Sequence, residues 1–148
     1  AVPNITLATD VICGFPGEDD EAFDRTLKVI EDVRPDIVNI SKFFPRPGTL
    51  AEKMKSKVSP GEVKERSRRM AELCKRISFE RNRKWVGWSG RVLVDEEGKR
   101  PGSWVGRNFA YKPIVVGGCG SLVGELVGVR VVGVLPTYLG SVVECVRV

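Results

Sequence analysis

Residues 5–13 are rich in β-formers and stop at Gly14, Phe15, Pro16 and Gly17, which predicts a strand running into a tight loop. Four carboxylates, Glu18, Asp19, Asp20 and Glu21, then stand where a helix begins and its dipole favours negative charge. Ala22, Phe23, Leu27, Val29, Ile30 and Val33 give that helix an apolar stripe up to Arg34 and Pro35. Residues 36–44 read as a second strand, stopped by Pro45, Arg46, Pro47 and Gly48. Strand, helix, strand in this length is a βαβ unit with a parallel pair of strands.

A short helix is expected over residues 49–55. The longest helix follows, signalled by a capping box: Ser59 as N-cap, Pro60 at the first helical position and Glu62 at the third. Val63, Met70, Leu73, Cys74 and Ile77 mark its apolar face, and its other side carries Lys64, Arg66, Arg68, Arg69, Lys75, Arg76, Arg81, Arg83 and Lys84.

At Trp85 the helical period ends and short valine-rich runs alternate with turns. Residues 90–94, 104–111, 114–116, 122–134 and 142–148 are the expected strands, with a turn over residues 95–98. Five short strands predict a small OB-like β-barrel. The fold class is therefore α/β followed by all-β, with domains 1–84 and 85–148. A βαβ unit cannot by itself bury both faces of a parallel sheet, so the first half either oligomerises or is the tail of a larger barrel, and the second is favoured.

Charge sharpens this picture. Residues 1–41 carry 3 Lys and Arg against 9 Asp and Glu, residues 42–112 carry 19 against 8, and residues 113–148 carry 2 against 2. The central block, a local +11, suits a polyanion such as a phosphate backbone. Histidine is absent, which removes the commonest general base. Cys13, Cys74, Cys119 and Cys145 are too scattered for a metal-ligand spacing and read as buried thiols of a reducing compartment. No stretch is long and apolar enough to span a bilayer and the start does not read as a signal peptide, so the expected location is cytoplasmic.

Three stretches carry a family resemblance. Residues 9–18, with Gly14, Phe15, Pro16, Gly17 and Glu18, residues 43–49, and residues 64–69 resemble the radical-SAM tRNA methylthiotransferases. Residues 103–108 with Tyr111 and Lys112 resemble the TRAM domain that ends those proteins. The likeness is nearest the archaeal and eukaryotic branch. It implies methylthiolation of N6-threonylcarbamoyladenosine next to the anticodon, with S-adenosylmethionine and 4Fe-4S clusters as cofactors. It also implies that residues 1–84 are the C-terminal part of a radical-SAM partial TIM barrel. The three-cysteine motif that holds the radical-generating cluster does not occur in this sequence, so the chain alone is expected to be inactive, with no catalytic residue and no metal ligand.

The resemblance places Ile12, Gly14 and Gly17 beside S-adenosylmethionine, with Phe44, Pro45 and Arg46 bordering the same pocket. Glycines permit close backbone approach, and carboxyl ends of parallel strands are where such barrels bind ligands. In the TRAM-like half the candidate RNA contacts are Arg91, Arg107, Asn108, Lys112 and Trp104, with Trp88, Phe109 and Tyr111 as further aromatics. Core packing is the competing role for each tryptophan. The expected partners are a tRNA anticodon stem-loop and the missing N-terminal portion of the same enzyme, with no membrane. A stand-alone RNA-binding module, a ribosomal-protein methylthiotransferase and a structural oligomer are the competing readings.

Overall fold

A computed structural model describes residues 4–118 and 120–143. Its contacts divide the chain into two compact units. The first runs from Leu7 to Ile77, and the second from Ser78 onward together with the start of the chain up to Thr6. The division falls inside a helix, whereas composition changes only at Trp85. The helix's final turns belong to the second unit, where Asn82 donates to the carbonyls of Leu135 and Pro136 at 2.8 and 3.2 Å.

In the first unit, β1 (Ala8–Cys13) pairs in parallel with β2 (Ile37–Lys42), Ala8 opposite Ile37 and Cys13 opposite Lys42. Between them runs α1 (Asp20–Val33), started by Asp19, whose carboxylate accepts from the Ala22 N–H at 2.7 Å. Its end is a left-handed Arg34 at φ 53°, after which Pro35 prevents continuation. A short α2 (Leu50–Lys53) precedes the long α3 (Pro60–Arg83). The capping box forms reciprocally: Ser59 N–H donates to Glu62 Oε2 at 3.1 Å, and Glu62 N–H donates to Ser59 Oγ at 3.2 Å.

Alternation along the two strands decides which face is buried. Val11, Cys13, Val38 and Ile40 point to the side where Phe23, Leu27 and Ile30 of α1 meet Met70, Leu73, Cys74 and Ile77 of α3. Ile12 and Ile37 are exposed on the other face, beside an Asn39–Asp10 hydrogen bond of 2.8 Å. One face of this sheet is therefore covered and the other open, as a lone βαβ unit requires.

The second unit is a closed five-stranded barrel. Its strands are β3 (Ser89–Glu97), β4 (Ser103–Arg107), β5 (Pro113–Gly117), β6 (Leu126–Val134) and β7 (Leu139–Val143), in the order β3-β4-β5-β7-β6. Among the described residues of the barrel, β5 and β7 pair in parallel and the other neighbours antiparallel. Inward residues Val92, Val94, Trp104, Ile114, Val116, Val129, Val131 and Leu139 fill it, with Trp85 and Ala110 joining the same core.

Several strand boundaries differ from the sequence reading, and β6 starts at Leu126 rather than at residue 122. β3 continues through the stretch expected to turn, because a bulge between Val94 and Glu96 keeps Glu97 paired with Trp104. β4 stops at Arg107, so residues 108–112 form a loop rather than strand. The last expected strand is found from Leu139, and residues 144–148 lie outside the described residues, as does Cys119.

Candidate nucleic-acid interface and strand-end loops

The loop after β1 is tightly held. Gly14 adopts φ +83°, and a Cβ there would lie 2.3 Å from Val63 Cγ2, so α3 packs against bare backbone. The Gly14 N–H donates to Glu18 Oε2 at 2.7 Å, and the Gly17 N–H donates to the Ser56 carbonyl at 2.7 Å. Arg66 closes the arrangement. Its guanidinium donates to the Glu18 carbonyl at 2.7 Å, to Glu18 Oε2 at 3.0 Å and to Asp20 Oδ1 at 2.9 Å. A polar cleft of about 370 Å³ lies here, lined among others by Gly17, Asp20, Lys57, Glu62 and Arg66.

The candidates for the nucleotide pocket thus separate. Both glycines have committed their N–H groups internally and cannot offer them to a ligand. Ile12 is 54% exposed and Phe44 81% exposed, so their apolar surfaces are open. Pro45 and Arg46 follow Phe44 in an extended segment, where the Arg46 carbonyl accepts from Thr49. Phe15 meets Phe43 edge-on at 5.2 Å, bracing the loops after β1 and β2 against each other.

Arg66 corrects the expectation of a basic, solvated face on α3. It is buried, four residues before Met70 on the apolar stripe, a position its charge disguised. Other cations of that helix are paired too: Arg68 with Glu65 and Glu72, Arg69 with Asp24, and Arg76 with Glu31. Three arginines of α3 thus pair with acidic residues of α1 and a fourth within α3, so the central charge block overstates the charge available to a polyanion.

On the barrel, the β4–β5 loop sorts its side chains by alternation. Asn108 and Lys112 are 6% and 4% exposed. Asn108 Oδ1 accepts from the N–H groups of Ala110 and Lys112, both at 3.0 Å. Lys112 Nζ donates to Asn82 Oδ1 at 3.1 Å. These two side chains, expected to meet RNA, lie inside the loop, where Asn108 Oδ1 and Lys112 Nζ find partners within the unit. Trp104 is likewise in the core, and among the described residues neither its buried Nε1 nor Asn108 Nδ2 has a hydrogen-bond partner. Asn82, which the sequence reading passed over, ties helix to barrel through both ends of its amide.

Arg107 remains partly accessible, but its Nε donates to Asp95 Oδ2 at 2.6 Å and Nη2 reaches Glu96 Oε1 at 3.4 Å. The guanidinium lies 4.7 Å from the Tyr111 ring centroid, a cation–π stack. Arg91 is exposed on β3, two residues from Leu93, the partner of Arg107 on β4, so both arginines share the outer face of the barrel. Lys99, Arg100 and Arg130 are also exposed.

Among the described residues no group of three or more Cys, Asp or Glu side chains is placed to hold a metal ion. Burial, followed by the Glu18 carboxylate, pushes the Cys13 thiol up from its ordinary value, and burial does the same for Cys74. Among the described residues Cys13 and Cys74 belong to no such metal-holding group, so they do not fit an iron–sulfur site. No helix among the described residues is long and apolar enough to cross a membrane.

Residues 83–143, which hold this small barrel, match the TRAM domain family. The chain as a whole is similar to tRNA methylthiotransferases, as its loop motifs led us to expect. It is 46% identical over 115 residues to a probable threonylcarbamoyladenosine tRNA methylthiotransferase of Pyrococcus abyssi, covering 77% of this chain and 26% of that protein. It is 38% identical over 130 residues to the threonylcarbamoyladenosine tRNA methylthiotransferase of Xenopus laevis, 88% of this chain and 23% of that one. It is 40% identical over 148 residues to a tRNA-2-methylthio-N(6)-dimethylallyladenosine synthase of Aquifex aeolicus, 99% of this chain and 33% of that one. The chain thus spans about a quarter to a third of the length of these curated relatives.

Proposed function

We propose that the chain is part of a radical-SAM methylthiotransferase that adds a methylthio group to N6-threonylcarbamoyladenosine next to the tRNA anticodon, in the cytoplasm. Similarity to the Pyrococcus abyssi protein carries this reading. In it, residues 7–77 supply the last strands of the partial TIM barrel, and their open sheet face meets the rest of that barrel. The apolar surfaces of Ile12 and Phe44 support a share in an S-adenosylmethionine pocket, with Pro45 and Arg46 at its border, while Gly14 and Gly17 shape the loop that carries it. S-adenosylmethionine would supply the methyl group and, with a 4Fe-4S cluster held by residues of the N-terminal portion, the radical. The three-cysteine motif of that cluster does not occur in this sequence, so this chain alone is expected to be inactive.

The TRAM barrel would dock the anticodon stem-loop through Arg91, Lys99, Arg100 and Arg130, with Arg107 at the edge of the same face. The similarity to the Aquifex aeolicus protein supports a second reading, in which the base carries a dimethylallyl group. Fluorescence anisotropy of this chain with a labelled anticodon stem-loop at several salt concentrations tests the docking role. Affinity should fall with salt, and replacing Arg91, Lys99 and Arg100 by Gln should flatten the slope by roughly one unit per lost phosphate contact. Indifference to RNA even at low salt would refute it.

A further inference from the structure

The β4–β5 loop presents two aromatic rings to solvent on a base held by hydrogen bonds. Phe109 is 73% exposed and Tyr111 66% exposed, although Asn108, Ala110 and Lys112 between and beside them are buried. The phenylalanine ring is packed on one side, 5.9 Å from Trp85 and 6.3 Å from Trp88, while most of its surface is exposed. Tyr111 sits at φ +60°, a left-handed conformation that a bulky residue adopts only when its surroundings impose it. What imposes it is the pair of backbone N–H groups gathered by Asn108 Oδ1, together with the Tyr111 N–H donating to the Asn108 carbonyl at 2.9 Å. Arg107, oriented by Asp95, lies over the tyrosine ring.

We propose that Phe109 and Tyr111 form a stacking platform for unpaired RNA bases, with Arg107 extending it and Asn108 and Lys112 acting as positioning residues beneath. This rests on the RNA-docking reading above and deepens it. The neighbourhood selects bases over phosphates: Asp95 and Glu96 occupy the Arg107 guanidinium and repel an anion, whereas a base face carries no charge and stacks on a ring. Phosphates of the same strand have Arg91 on the same outer face. Bases in a duplex are already stacked and cannot use the platform, so the preference is for single-stranded loops.

The test compares the full chain with two double variants, Phe109→Leu with Tyr111→Leu, and Phe109→Tyr with Tyr111→Phe. Each is titrated with a labelled unstructured RNA, and with the same RNA annealed to its complement, over a range of salt. The Leu variant should bind the single strand on the order of tenfold more weakly or worse at every salt concentration, with an unchanged salt slope. The ring-retaining variant should match the parent chain, duplex binding should be equal in all three, and thermal unfolding of all three should coincide. Unaltered single-strand affinity in the Leu variant would overturn the platform while leaving RNA docking intact. A loss shared by the ring-retaining variant, or one that flattens the salt slope, would also overturn it. Absence of RNA binding by the parent chain would remove the docking reading itself.

Discussion

Gly14 shows how much of the first unit hangs on one missing side chain. Its φ of +83° and the 2.3 Å approach that a Cβ would make to Val63 act together, since the helix is seated where the backbone is bare. Gly14→Ala should cost about 3 kcal/mol, from left-handed strain and overpacking. Chemical denaturation would measure it, and a Val63→Ala partner change should recover the packing part but not the strain. Full recovery would mean that the backbone conformation contributes nothing. Lys112 is the opposite case, a charge drawn inside because Asn82 offers an oxygen at 3.1 Å. A residue expected to contact RNA thus forms part of the loop's foundation.

At the level of elements, α3 combines a locally coded start with a distantly decided surface. Hydrogen bonds from the Ser59 hydroxyl and backbone hold the Glu62 carboxyl below the usual carboxylate range. A folded pKa lowered in this way contributes stability that is present above the unfolded value and lost as pH falls through the folded one. Glu62→Gln should therefore lower the Tm at neutral pH, and the gap should close in acid once Glu62 itself is protonated. A gap that persists in acid would show that shape, not charge, is what the position supplies. Ser59→Ala, which removes the cap itself, should cost about 1 kcal/mol.

Across the whole molecule the two units close their hydrogen bonding differently. Every barrel strand has two neighbours, whereas among the described residues β1 and β2 pair only with each other and leave one face open. Native-state hydrogen exchange should find the amides of β3 to β6 better protected than those of β1 and β2. Equal protection in both units would contradict a first unit completed by further chain. The closed barrel is also what fixes the β4–β5 loop, since β4 and β5 enter it in register from Arg107 and Pro113.

The sequence by itself determined what depends on neighbours in the chain. The βαβ order follows from period and turn residues, the capping box from three residues, and the valine-rich strands from alternation, and each formed nearly where its pattern stood. The family resemblance was legible for the same reason, because its motifs are short and contiguous. Partners distant in sequence were not legible, and they decided the site. Arg66 is paired across 48 residues with Glu18, Lys112 across 30 with Asn82, and Arg107 across 12 with Asp95. A count of lysines and arginines treats these as surface charge, while the fold turns two of them into internal supports and leaves Phe109 and Tyr111 outermost. Which charges and rings face solvent is set by what packs against them, and only the tertiary structure specifies that.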